Sequence, residues 1–398
     1  MARGMQIHWS GPDSWSRMRQ SPCLIMHSSS LSSAESPDFM TSIHAEDQKT
    51  GSRAVWRQIA DGAGAGPLHD DGERAKDRLV ARRLGQRITA ATINALTPDL
   101  VAETADVRGT RLLNRMRHQL GRQWLDTLIQ GGVEALPIKG LATGPWLYAR
   151  AEDRGLSDAD ILVRPGQLNT ALEILQGHGF AFARRPTRNP WGFVSDASFQ
   201  PLLSEDRASN IDLHIAGDAA PFPRMLDVDA IMAGAVARDG MTVPSPAHCF
   251  LIAASHAARD LFTGDAAKTV VDGLMMLRAG ADGAPRLNDA DWSEIAGRAR
   301  KGRMIRPVAT FTALLGALGG KVDTARRHLP VDRIGGGAFD MVVQNYLAGC
   351  PEEEDPGPLE RLHREWALSA DIGTVLRRNL RRLRGLLVPN RGLPPGMA

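Results

Sequence analysis

The sequence has little cysteine, little tyrosine, almost no lysine and no long apolar run. Three cysteines, Cys23, Cys249 and Cys350, are scattered over 398 residues. Their odd number and wide spacing exclude a disulfide framework and a zinc-ligand pattern, which fits a reducing compartment. No uninterrupted apolar stretch approaches the roughly 20 residues needed to cross a bilayer. The N-terminus carries Arg3 but no apolar segment of signal-peptide length. The expectation is therefore a soluble, cytoplasmic protein without a membrane partner. An excess of charge is missing as well: 48 basic against 45 acidic residues leave a net charge of +3, which gives no global signature of nucleic-acid binding. Lysine occurs only at positions 49, 76, 139, 268, 301 and 321; arginine does the rest.

What is present is ordinary in amount, at 43% hydrophobic and 23% charged residues, and long enough for two or three domains. Residues 1–75 read as a disordered N-terminal extension, with serine-rich 28–33 and small-residue 62–67 and no apolar period lasting two turns. An alternative is that translation begins at Met26 or Met40. Residues 76–220 read as a core with leading helices, and 221–398 as an α-helical domain. Leu112, Met116, Leu120, Trp124 and Leu128 recur every four residues, which predicts a helix with that stripe inward, ending at Gly131-Gly132.

Short strands are expected at 133–138, 158–163, 180–183, 197–203 and 211–215. A brief helix over 141–149 separates the first two, and a patterned helix from Leu168 to Leu175 closes on Gly177 and Gly179. A basic loop with Arg184, Arg185 and Arg188 lies between the third strand and the fourth. Helices are expected at 227–237, 246–262, 268–277, 289–300, 304–318, 336–348 and 359–387, with Asp289 as an N-cap. The last carries arginines 377–384. The fold class is α+β.

The chemistry concentrates in two places. On a strand, residues i and i+2 share a face, so Asp158 and Asp160 would project together, with Cα atoms roughly 6.6 Å apart. Two such carboxylates repel each other and resist burial unless a cation lies between them. Ile211-Asp212-Leu213-His214-Ile215 repeats the alternation and adds a third carboxylate. Carboxylates on two strands suit magnesium, and two ions about 3.5–4 Å apart can activate a hydroxyl and stabilise a leaving oxygen. Upstream, Lys139-Gly140 follows a strand; glycine lets backbone N–H groups approach an anion, and the lysine can neutralise phosphate.

On these residues the chain resembles the uncharacterised nucleotidyltransferase branch of the DNA polymerase β superfamily. The resemblance rests on Lys139-Gly140, Arg154, Asp158-x-Asp160, Leu162-Val163, Gly177-His178-Gly179-Phe180 and Asp212-Leu213-His214. It extends to Ser245-Pro246 through His256, then Asp272 and Asp291-Trp292, covering roughly residues 85–320. It implies a polymerase β-like fold, a small mixed sheet flanked by helices with a helical C-terminal half. It also implies Asp158, Asp160 and Asp212 as catalytic residues and ligands of two magnesium ions, and Lys139, Gly140, Arg154 and His214 at the nucleotide. The implied enzyme moves a nucleoside monophosphate, AMP, from an NTP to an unidentified hydroxyl acceptor and releases pyrophosphate. The chain departs from the wider superfamily in lacking a Gly-Ser or Gly-Gly turn: Gly140 stands between Lys139 and Leu141. That departure motivates the alternative, a catalytically degenerate nucleotide-binding or antitoxin-like protein of the same fold. A glycosyltransferase reading of Asp-x-Asp ranks third, because only one short strand precedes the motif.

Overall fold

Five short strands form one mixed sheet in the order β1-β2-β5-β4-β3. They are β1 (Ala135–Pro137), β2 (Ala159–Val163), β3 (Ala181–Phe182), β4 (Leu202–Leu203) and β5 (Asn210–His214). A computed structural model of the chain describes residues 52–62, 71–183, 201–217, 226–280, 283–350, 358–369 and positions 373, 375, 376 and 380. β2 pairs antiparallel with β1 and parallel with β5, so the aspartate strands are central neighbours.

The central strand is buried along its whole length, because apolar clusters cover both faces. On one side Ala159, Ile161, Val163, Ile211 and Leu213 pack against helices α4 (Ala105–Gln130) and α6 (Leu168–Gly177). On the other, Leu136, Ile138 and Leu162 join a larger cluster. That cluster is built on α8 (Pro246–Arg259), α9 (Ala267–Leu277), α10 (Asp289–Lys301) and α11 (Ile305–Ala317). Between these stand α1 (Arg53–Asp61), α2 (Asp71–Arg87), α3 (Ala90–Leu96), α5 (Lys139–Leu147) and α7 (Val228–Ala233); α12 (Gly337–Leu347) follows. Every residue of α8 from Ala247 to Ala258 is buried, the mark of a helix at a domain's centre. One apolar cluster takes residues from both sides of 218–225, Leu136 and Leu162 together with Ile231 and Phe250. Among the described residues no helix is long and apolar enough to cross a membrane.

The chain is thus α+β with a small mixed sheet, and strands form at all five expected places. Several expectations need correction. Residues 53–61, read as part of a disordered extension, form α1. Ser52 caps it, and Val55, Trp56 and Ile59 are fully buried. Trp56 donates Nε1–H to the Tyr346 carbonyl at 2.7 Å and meets that ring edge-on. A lone nine-residue helix with five buried residues, Gln58 among them, is too short for its apolar spacing to stand out in a polar, small-residue stretch. Residues 1–51 lie outside the described part, as do 197–200, the basic loop 184–200 and nearly all of 377–384. The helix expected over 227–237 stops at Ala233. A two-stranded hairpin follows, β6 (Val236–Arg238) with β7 (Met241–Val243). Its turn, Asp239-Gly240, has φ 48° and 73°, the double positive φ that Asp-Gly favours between hairpin strands. Asn288, not Asp289, caps α10 and forms a capping box with Asp291.

The largest correction concerns α4. Leu112 and Met116, expected inside, are 59% and 49% exposed. The buried face of that half is polar: Arg111, Asn114 and His118. These three hold the connection between α5 and β2. Arg111 donates to Asp153 at 2.7 Å, Asn114 Nδ2 to the Glu152 carbonyl at 3.0 Å, and His118 Nε2 lies 3.1 Å from the Arg154 carbonyl.

Candidate active site

The parallel register sets Asp160 beside Asp212 and Leu162 beside His214. Because side chains two apart share a face, Asp160, Asp212 and His214 converge. Their potential ligand atoms all lie within 4.8 Å of one another. Asp160 is 4% exposed. Its Oδ1 accepts from Lys139 Nζ and from His214 Nε2, the latter at 2.7 Å. Burial alone would raise its pKa, but the Lys139 ammonium and the His214 hydrogen bond hold it far below the usual carboxylate range.

Asp212 behaves oppositely. Burial, then the charges of Asp160 and Asp158, push it up to about 7. Its Oδ1 is buried with no hydrogen-bond partner. Burial and the Lys139 charge lower the pKa of His214, so the ring is neutral and Nε2 carries the proton given to Asp160. In the structure His214 supports a carboxylate, Asp160. Behind it His256, on α8, faces the His214 ring at 6.2 Å between centroids, and its pKa too is driven down by burial.

Lys139 is the first residue of α5 and has φ 51°, in the left-handed region. The next position is closely packed: a Cβ on Gly140 would lie 3.0 Å from Leu156 Cδ1 and 3.5 Å from Arg154 Cζ, so a larger residue needs the Leu156 side chain to give. Gly140 thus admits a protein side chain at close range.

Arg154 is buried and fully engaged within the protein. Nε and Nη2 donate to the Asp272 carboxylate at 2.8–3.0 Å, and Nη1 donates to the Gly155 carbonyl. Asp272 also accepts from Tyr148 Oη at 2.8 Å and Thr143 Oγ1 at 3.1 Å. Sequence reasoning placed Arg154 at the nucleotide; the structure uses it to tie the α5–β2 connection to α9. Tyr148, Thr143 and Asp272 belong to that tie and had no local signal beyond the family resemblance at Asp272.

Asp158 sits just before β2, half-buried, and its carboxylate accepts from Ser157 Oγ at 2.7 Å. It stands outside the Asp160–Asp212–His214 trio but lines the same cleft. That cleft has a volume of about 400 Å³ and is walled by Lys139, Asp158, Asp160, His256, Arg259 and Lys268. Lys268, on α9, was not singled out from the sequence. Burial and the Arg154 charge lower its pKa, and no acceptor for it occurs among the described residues.

The trio fits a divalent ion. A buried carboxylate oxygen without a partner, Asp212 Oδ1, lies beside a second carboxylate, and their mutual repulsion is relieved by a cation. Carboxylate oxygens are the donors that magnesium takes.

Residues 73–320 match the family described as "Uncharacterised nucleotidyltransferase". The match takes in the sheet, the cleft and the helices from α2 to α11, and the chain belongs to that family. Comparison with curated proteins and with solved structures returned no match.

Proposed function

We propose that the cleft binds ATP with magnesium and transfers its AMP moiety to a hydroxyl acceptor, on a polymerase β-like fold. The observation that carries this reading is the convergence of Asp160 and Asp212 on adjacent parallel strands, with Asp160 on the wall of a cleft that also presents Asp158, Lys139, Arg259 and Lys268. Family membership makes an NTP the substrate class.

Asp158, Asp160 and Asp212 would hold the metal, which when bound neutralises phosphate oxygens and polarises the α-phosphate. His214 keeps Asp160 oriented. Asp212 accepts the acceptor's hydroxyl proton as the new oxygen–phosphorus bond forms. The bond from the α-phosphorus to the bridging oxygen breaks, and pyrophosphate leaves with that electron pair. Lys268 supplies positive charge for the triphosphate that Arg154, bound to Asp272, does not.

The test is incubation of the full chain with α-labelled ATP, magnesium and an extract of the source cells, followed by identification of what becomes labelled. Asp160→Asn should abolish labelling while the protein stays folded; transfer at the wild-type rate by that variant would overturn the assignment. A second reading, nucleotide binding without transfer, draws on one observation, the Lys139 ammonium on Asp160 where a metal would also bind. Metal-dependent ATP binding without pyrophosphate release across a broad acceptor screen would favour it.

A further inference from the structure

Three carboxylates would ordinarily call for two divalent ions. The structure supplies one positive charge of its own. Lys139 donates to Asp160 Oδ1, the same oxygen that takes the His214 proton donor. That oxygen has two donors already, while one buried carboxylate oxygen, Asp212 Oδ1, has none. Resting on the metal-site reading above, we infer that Lys139 takes the place of one of the two divalent ions, so that the site works with a single ion.

The charges agree with this. Asp158, Asp160 and Asp212 carry three negative charges when ionised; the Lys139 ammonium neutralises one, and one divalent ion neutralises the other two. Before a triphosphate enters, a second divalent ion would leave an excess of positive charge next to the Lys139 ammonium, in a place where burial strengthens repulsion.

The backbone that carries the ammonium is held in place from behind. Lys139 begins α5 with a left-handed backbone, and the following Gly140 is packed under Leu156 and Arg154. Arg154 is in turn locked to Asp272 across to α9. A strained backbone at a side chain that meets a carboxylate cluster points to a functional constraint. The residue type points the same way. A chain that uses lysine at six positions among 48 basic residues places one here, where a compact point charge fits and a planar guanidinium fork does not reproduce a metal ion.

The experiment uses the full-length protein in excess over a non-hydrolysable ATP analogue, titrated with manganese(II) and followed by electron paramagnetic resonance. The wild type should give the spectrum of an isolated ion throughout, at one ion per occupied site. Lys139→Met should admit a second ion and give the spin-coupled spectrum of a pair about 3.5–4 Å apart. Lys139→Gln, which keeps a polar neighbour for Asp160, repeats the measurement should the methionine variant fail the circular-dichroism check of folding.

A coupled pair in the wild type overturns the inference and leaves the metal site standing, as does an isolated ion in both folded variants. Absence of any protein-bound manganese overturns the metal site itself, and this inference with it.

Discussion

Two buried cation–carboxylate pairs lie within one cleft wall, and they are finished differently. In the Arg154–Asp272 pair the arginine's Nε, Nη1 and Nη2 all donate within the protein, and the carboxylate takes two further hydroxyl donors, Tyr148 and Thr143. In the Lys139–Asp160 pair, one carboxylate oxygen is shared between Lys139 and His214, and the neighbouring Asp212 is left with an unpartnered oxygen. A satisfied buried pair fixes structure and has nothing left to offer a ligand. An unsatisfied one next to it is where a ligand is expected, because a buried polar atom without a partner costs free energy that binding recovers. Side by side, the two pairs separate the scaffold of this site from its chemistry.

The sharpest way to break the comparison is to open the sealed pair. Arg154→Leu strands the Asp272 charge in the interior and should cost about 3–5 kcal/mol of stability, read from urea denaturation midpoints. The same measurement on Asp160→Asn should show a smaller loss, about 1–2 kcal/mol, because the Lys139 side chain is 23% exposed and can turn to water. If the two variants lost equal stability, the distinction between scaffold and site would fail.

His214→Ala removes a support and leaves the carboxylates. It should lower metal affinity by roughly 10–100-fold, measured by calorimetric titration with manganese, and should cost about 1–3 kcal/mol of stability because the ring is buried and hydrogen-bonded to Asp160.

Asp212 makes a prediction in pH. Folded, its carboxyl holds a proton up to about pH 7, against about 3.9 for an ordinary aspartate. Between those values the folded state binds more protons than the unfolded one, so metal-free stability should fall as pH rises through that window. Asp212→Asn should flatten the dependence, and denaturation at each end of the window checks it. The smallest effect belongs to α4. Leu112→Ser should change stability by no more than about 0.5 kcal/mol. Asn114→Ala, on the polar buried face, should cost about 1–3 kcal/mol.

Much of the sheet was legible because strand alternation is local: Asp160 and Asp212 lie among apolar neighbours that must all turn inward. The hairpin at Asp239-Gly240 was legible too, and a helical reading of the preceding residues hid it. The α4 register was not. A stripe of Leu112, Met116 and Leu120 on paper is indistinguishable from a buried one, and only the demand of the 152–154 backbone for hydrogen-bond partners turned Asn114 and His118 inward.

By itself, then, the sequence determined which residue types could do chemistry, since carboxylate, lysine and glycine at their spacings follow from strand and turn geometry within a few residues. It determined the family by the same segment. Which cation each carboxylate meets was decided only in three dimensions. Lys139 and Asp160 are 21 residues apart and Arg154 and Asp272 are 118 apart. Nothing in a local pattern states that the arginine nearest the aspartates belongs to a helix far down the chain, while the scarce lysine belongs to them. Pairing at that range is set by how the α5–β2 connection packs between α4 and α9, a property of the assembled core.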